Sequence, residues 1–226
     1  ERKKANRYPA PPFTTSTLQQ EAARKMRFSA KKTMQIAQKL YEAGLITYMT
    51  DAVNLSKEAI AACREAIVKY FGEAYLPKTA KEYKNKTKNA QEAHEAIRPS
   101  DVMNTPKKME TKLDAEGHKL YELIWKRTVA CQMNPAVLDR VVIDAISADK
   151  QILLRANGQV IEFDGFLKLY QESRDDAEDD DENRILPNVS EGEAVDKGEI
   201  TPEQHFTTPP PRFTEASLVK KLEELG

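Results

Sequence analysis

Three polar side chains raise the question of chemistry first. On a helix, Gln91, His94 and Arg98 fall at i, i+3 and i+7 and share one face. Ala90, Ala93 and Ile97 form a separate apolar stripe that can pack inward. An amide, an imidazole and a guanidinium on one face suit the gripping of a phosphate. The spacing predicts a short helix over 89–97, stopped by Pro99. A zinc reading of His94-Glu95 fails, because no second histidine follows at the spacing of His-Glu-x-x-His. Thr15, Ser16, Thr17 and Gln19 cluster at an expected helix start, where contact with a ligand and simple capping are equally good readings. Tyr48 offers a phenol. A free tyrosine, with a pKa of about 10, is mostly protonated at neutral pH. It becomes a good nucleophile only beside a positive charge or a base. Taken alone, Tyr48 reads as a half-buried core or surface residue.

The elements that must hold these residues can be read from caps and periodicity. Residues 1–14 are basic and then Pro-rich (Pro9, Pro11, Pro12), which predicts an extended lead-in. A helix is expected over 16–27, with Ser16 and Gln19 as its capping box. Ser29 caps a second helix that runs to Ala43, with Ala30, Met34, Ala37, Leu40 and Tyr41 as its apolar positions and Gly44 as its stop. Leu45 to Met49 reads as a short strand or extended turn. Ser56 caps a third helix through Phe71, with Ile60, Cys63 and Ile67 on one side and Gly72 at its end. The Lys-rich stretch 76–88 reads as a loop. Asp114 caps a long helix to Met133 whose apolar part holds Leu120, Leu123, Ile124 and Trp125. Two short helices and then an extended segment resemble a winged-helix arrangement, and the same pattern also builds ordinary helical cores.

The character changes near Asn134-Pro135. Residues 137–144 alternate in strand fashion, and two β-rich runs flank Asn157-Gly158, a two-residue hairpin signal. The acidic run 172–182 reads as a solvated loop and not as a metal site, despite its Asp-x-Asp spacings. Strands are expected again at Ile185-Leu186 and between 193 and 206. Pro209-Pro210-Pro211 marks a boundary, after which Thr214 to Ser217 start a last helix.

The chain has 226 residues, with 31% charged and 40% hydrophobic side chains, an ordinary folded composition. The net charge of -1 hides an asymmetry. Residues 1–134 carry 25 Lys and Arg against 15 Asp and Glu, and residues 135–226 carry 10 against 21. A basic half beside an acidic half suggests two modules, the first suited to a polyanion or simply to solvation. Two cysteines, Cys63 and Cys131, stand outside any Cys-x-x-Cys pair, which argues against a zinc site or a disulfide framework. No run of 18 apolar residues is present, so no membrane-spanning helix is expected. No signal peptide opens the sequence. The chain begins without Met and stops at Gly226 directly after a helical run, which fits a piece of a longer protein.

Two segments carry a family resemblance. Residues 40–51, Leu-Tyr-Glu-Ala-Gly-Leu-Ile-Thr-Tyr-Met-Thr-Asp, resemble the active-site tyrosine segment of bacterial type IA DNA topoisomerases. Residues 91–101, Gln-Glu-Ala-His-Glu-Ala-Ile-Arg-Pro-Ser-Asp, are similar to that family's second signature. Phe13 to Gln20 and the segment from His205 to Leu218 also match in the expected order, while residues 135–200 match more loosely. The resemblance implies a multi-domain α and β fold. A helical winged-helix, CAP-like tyrosine domain would cover 1–134, a strand-rich antiparallel arch domain 135–208, and the stub of a further helical domain 209–226. It implies an enzyme that cuts one DNA strand, stores the bond as a 5′-phosphotyrosine on Tyr48, passes DNA through the gap and reseals it. A covalent ester conserves the phosphodiester's energy, so resealing needs no ATP. His94 would contact DNA near the scissile bond, with Gln91 and Arg98 beside it and Thr15, Ser16 and Gln19 near by. The substrate implied is negatively supercoiled DNA with single-stranded regions. The partners implied are that DNA and the rest of the same polypeptide, in the bacterial cytoplasm at the nucleoid. Mg²⁺ would be bound by a Toprim domain that has no counterpart in these residues, so this chain alone is expected neither to cleave nor to relax DNA. The alternative, from another class, is a non-enzymatic DNA-binding module; a structural piece that ignores nucleic acid is a third.

One departure stands out. In the family the tyrosine is followed by Met, then Arg, then Thr-Asp, whereas here Tyr48-Met49 runs straight into Thr50-Asp51. The family's arginine binds the scissile phosphate. Losing such a cation would cost several kcal/mol of transition-state stabilisation, on the order seen for oxyanion donors. Either the protein lacks this arginine or the written sequence omits one residue; the close flanking match favours the second. The mass of the purified protein separates the two.

Overall fold

The structure is a computed structural model that describes residues 2–83, 94–171, 186–187, 189–196, 198–199, 201–202, 204, 206, 209 and 212–225. Its elements run β1 (Arg2–Arg7), α1 (Thr15–Met26), α2 (Ala30–Glu42), α3 (Lys57–Phe71), a 3₁₀ turn at Glu73–Tyr75, α4 (Pro106–Met109), α5 (Ala115–Cys131), β2 (Ala136–Ile146), β3 (Leu153–Phe163), a 3₁₀ turn at Gly165–Lys168, and α6 (Glu215–Leu225). The chain forms two compact units. The larger collects Arg7–Ala136, Asp164–Asp176 and Phe213–Gly226; the smaller collects Glu1–Asn6, Val137–Phe163 and Ala177–Arg212.

In the larger unit the helices start where short polar side chains can satisfy orphan amides. The hydroxyls of Ser29 and Ser56 accept from the amides of Lys32 and Ala59, and the Asp114 carboxylate accepts from Gly117. The start of α1 differs from the expected one. Its capping box is Thr14 with Thr17, not Ser16 with Gln19. Thr14 is the residue whose extended backbone (φ -90, ψ 170) turns its hydroxyl onto the third helical amide. Gly44 follows α2 at φ +71 and Gly72 ends α3 at φ +95, both in the region that only glycine enters without strain. On α2 the buried face is Thr33, Ile36, Ala37 and Leu40, so the expected stripe through Ala30, Met34 and Tyr41 is rotated toward solvent. Thr33 can be buried because its hydroxyl donates to the Ser29 carbonyl. Around α5, whose Leu120, Tyr121, Ile124 and Trp125 are buried, gather Phe13, Leu18, Ile46, Ile67, Ile97 and Met133 as one core.

In the smaller unit three strands lie in the order β1-β2-β3. Here Asn157-Gly158 is not the hairpin turn. Asn157 pairs with Val142 and Gly158 with Val141 in mid-strand. An eleven-residue β2 needs a partner of matching length, and only a continuous Leu153–Phe163 supplies it. The reversal falls at 147–152, where the Ser147 amide donates to the Ile152 carbonyl, Asp149 accepts from the Ser147 hydroxyl and the Gln151 amide, and Lys150 sits at φ +60. The strands expected between 193 and 206 are absent among the described residues there. Leu186 donates its amide to the Gln159 carbonyl without joining a strand, and Ile185 and the acidic run 172–182 lie outside the described residues.

Candidate functional site

The expected helix over 89–97 is corrected by the structure. Residues 94–99 are not helical; 89–93, with Gln91, lie outside the described residues. Ile97 forms an antiparallel bridge with Phe13, and Pro99 one with Ile46. The shared helical face of His94 and Arg98 therefore does not exist. What defeats the helix is tertiary pairing: the backbone groups of this segment find partners on two neighbouring segments instead of within a turn. The Ile97 amide donates to the Phe13 carbonyl, the Ala96 amide to Asn54, the Thr47 amide to Arg98 and the Ser100 amide to Leu45, all at 2.9–3.0 Å.

This central segment holds the tyrosine from both sides. The Thr47 hydroxyl donates to the Ala96 carbonyl at 2.8 Å and accepts from the Arg98 amide at 3.0 Å. The Thr50 hydroxyl donates to the Glu95 carbonyl at 2.7 Å. The Thr50 carbonyl in turn accepts from the amide and hydroxyl of Thr15, at 2.9 and 3.2 Å. Between these anchors only Tyr48 and Met49 are spanned, so an arginine inserted after Met49 would have to bulge outward. Carried along this register, Tyr48 lies across from Ile97. His94 lies three residues further on, roughly 10 Å at strand spacing, and its side chain is exposed.

Tyr48 is 52% exposed, and its ring meets that of Tyr41 edge-on, with centroids 5.1 Å apart. Tyr41, from the last turn of α2, was expected in the core and is instead 40% exposed. The two thiols are shut away: Cys63 and Cys131 are buried, and burial pushes the Cys63 thiol up to about 12. Ser16 accepts from the Gln20 amide group, and Gln19 is half-buried on α1. Arg98 gives Nε and one terminal nitrogen to Glu95, at 2.8 and 2.5 Å, and the other terminal nitrogen to the carbonyls of Pro99 and Ser100. Partial burial alone would raise the Glu95 carboxyl; hydrogen bonds from Ser56 and Arg98, with the Arg98 charge, outweigh this and hold it below the usual carboxylate range. Sequence reasoning missed Thr47, Thr50, Glu95 and Tyr41. The two threonines flanking a tyrosine in a strand were the available signal, since each can bond across to a neighbouring backbone. Among the described residues no group of three or more His, Cys, Asp or Glu is arranged to hold a metal, and no helix is long and apolar enough to cross a membrane.

A solvent-facing phenol, fixed through its backbone on a three-segment platform, stands on a chain of mixed helical and antiparallel-strand architecture. Comparison with known proteins supplies the family. A DNA topoisomerase family model matches residues 1–226, and the chain belongs to that family. It is 58% identical over 235 aligned positions to DNA topoisomerase 1 of Rickettsia felis, which matches all of this chain and 30% of the relative. DNA topoisomerase 1 of Xylella fastidiosa is 52% identical, matching 99% of this chain and 29% of the relative. The crystal structure of full-length topoisomerase I from Thermotoga maritima superposes with a TM-score of 0.75 at 35% identity, over all of this chain and 36% of that one. The chain thus spans about a third of the length of the relatives it matches.

Proposed function

We propose that this chain is the tyrosine-bearing part of a type IA DNA topoisomerase and that Tyr48 is its nucleophile. The exposed phenol of Tyr48, clamped between Thr47 and Thr50, carries the reading. In the step proposed, the Tyr48 oxygen attacks a backbone phosphorus and the bond to the 3′ oxygen breaks. The phosphoryl group stays on tyrosine at the 5′ end, and the phenolic proton is in balance with the 3′ hydroxyl released. The reverse attack by that hydroxyl reseals the strand, so the bond energy is conserved. The substrate is negatively supercoiled DNA with single-stranded stretches, in the bacterial cytoplasm at the nucleoid.

In the same proposal His94 meets the strand near the cut. Thr15, Ser16 and Gln19 border it at the start of α1, and Gln91 belongs with them. Arg98 acts by shaping the central segment, and reaches a phosphate where one displaces its 3.4 Å bond to the Ser100 carbonyl. The described residues offer no cluster that fits Mg²⁺. The ion belongs to a Toprim domain elsewhere in the longer protein, where it would help hold the DNA phosphate, and this chain alone neither cleaves nor relaxes DNA. Residues 1–134 are the tyrosine domain, 135–208 part of the arch around the DNA passage, and 209–226 the start of a further helical domain. The test is Tyr48→Phe in the full-length protein. Lost cleavage of single-stranded DNA with binding kept is the expected result. Unchanged cleavage overturns the assignment, and a wild-type protein that binds DNA but never cuts it leaves the non-enzymatic module.

A further inference from the structure

We propose that Glu95 is a positioning residue for Tyr48, an inference that rests on the function proposed above. Glu95 joins three parts of the site at once. Its backbone carbonyl takes the Thr50 hydroxyl at 2.7 Å, which fixes the chain two residues after Tyr48. One carboxylate oxygen takes the Ser56 amide at 2.6 Å, at the cap of α3. The other holds the Arg98 guanidinium through two donors, at 2.8 and 2.5 Å. Arg98 is the residue whose backbone amide and carbonyl meet Thr47, directly before Tyr48. Glu95 therefore controls both flanks of the nucleophile: the far flank through its own carbonyl, the near flank by setting Arg98.

The arrangement carries more bonding than a surface ion pair needs. The side chains of Glu95 and Arg98 are 24% and 16% exposed, so the pair is mostly screened from water. A charge so placed without its partner would be costly, and the paired form is strongly preferred. The carboxylate stays ionised through the neutral range, because its hydrogen bonds and the Arg98 charge hold it below the usual carboxylate range. The consequence concerns rate and not affinity. In-line attack on phosphorus depends on where the phenolic oxygen stands, and displacement on the order of 1 Å costs about a hundredfold. In this proposal Glu95 acts through Thr50 and Arg98 and not on DNA, so its loss should fall on rate far more than on binding.

The experiment uses a full-length topoisomerase carrying this chain. Single-turnover cleavage of a single-stranded oligonucleotide is measured with enzyme in excess, and affinity separately in a Tyr48→Phe background. Glu95→Ala is expected to slow cleavage by about tenfold or more while changing Kd less than about twofold. Glu95→Gln keeps an acceptor for Ser56 but loses the charge on Arg98, and should fall between. Thr50→Val removes the bond to the Glu95 carbonyl together with the weaker 3.3 Å bond that the Ala52 amide donates to the same hydroxyl, and should slow cleavage by a few fold, about the worth of one hydrogen bond. Parental cleavage rates in Glu95→Ala overturn the proposal. So does an equal loss of rate and affinity, which would make Glu95 part of the binding surface. If Glu95→Ala fails to fold, Glu95→Gln and Thr50→Val decide, and parental rates in both overturn it. Cleavage that survives Tyr48→Phe is a different result, since it removes the underlying function and not only the role of Glu95.

Discussion

The helical unit and the strand unit solve the problem of burial very differently. The helical unit wraps α5 in a continuous core of aromatic and aliphatic side chains and buries polar groups with their partners supplied. Arg127, buried beneath Pro11, shows this. Its Nε donates to the Pro11 carbonyl, its charge lies 4.9 Å from the Phe13 ring centre, and it shares Tyr170 with the buried carboxylate of Glu21. The strand unit hides Leu138 and Val141 but leaves Ile146, Ile152, Leu153 and Leu154 at the hairpin end more than half exposed. Three strands with one thin face are near the lower limit for independent stability. Tyr48 and its platform sit on the unit with the deeper core, which suits a side chain that must be held in one place.

Four measurements would break or sharpen that contrast. The largest effect should come from Trp125→Ala, which empties a buried site and orphans the Val102 carbonyl that accepts its indole N–H at 2.8 Å. We expect a loss of roughly 3–5 kcal/mol by chemical denaturation. A loss below about 1 kcal/mol would mean that the core is not built around α5. Next comes Gly165→Ala, since φ is +49 and an added Cβ would stand 2.4 Å from the Pro135 carbonyl oxygen. Here the cost should exceed about 1 kcal/mol, beyond the usual glycine-to-alanine effect. Ser56→Ala removes one helix cap and should cost about 1 kcal/mol, read as a lower midpoint with an unchanged slope. The smallest change is expected at the other unit: Leu154→Ala should stay within about 0.5 kcal/mol. A large loss there would show a core that the exposed hairpin end does not suggest.

A pH series probes the helical unit separately. Burial lowers Lys81 to about 8, beside the Met133 carbonyl that accepts from its ammonium group at 2.5 Å. Its folded pKa lies below its unfolded value, so the neutral form favours folding. Its contribution is fully present above about pH 10.5 and is lost as pH falls toward about 8. Stability should therefore rise between pH 8 and 10 in the parent, and Lys81→Met should flatten that rise. An identical slope in both proteins would rule out Lys81 as its source.

Much of the helical unit was legible in the sequence because its boundaries are local. Ser29, Ser56 and Asp114 cap, Gly44 and Gly72 stop, and each of these acts within one turn. The platform under Tyr48 was not legible, since it is built from pairings between segments far apart. The stretch 90–97 reads as a helix from its alanines and its apolar period, and at Ala96 and Ile97 partners on Thr47 and Phe13 override both. The hairpin failed in the opposite way. Asn157-Gly158 is a strong local turn signal, and the length of β2 overrules it. The exposed side of Tyr41 was hidden by a period read one step out of phase, which the burial of Thr33 explains.

The three-segment platform also sets an order in time. Thr47 bonds to Ala96, 49 residues further along the chain. At a synthesis rate of about 5–20 residues per second, that partner emerges from the ribosome roughly two to ten seconds after Tyr48 does. During that interval the tyrosine already exists, but the bonds from Thr47 and Thr50 to the central segment cannot yet form. A growing chain thus cannot fix the Tyr48 phenol in its final place until the segment that anchors Thr47 and Thr50 has been made.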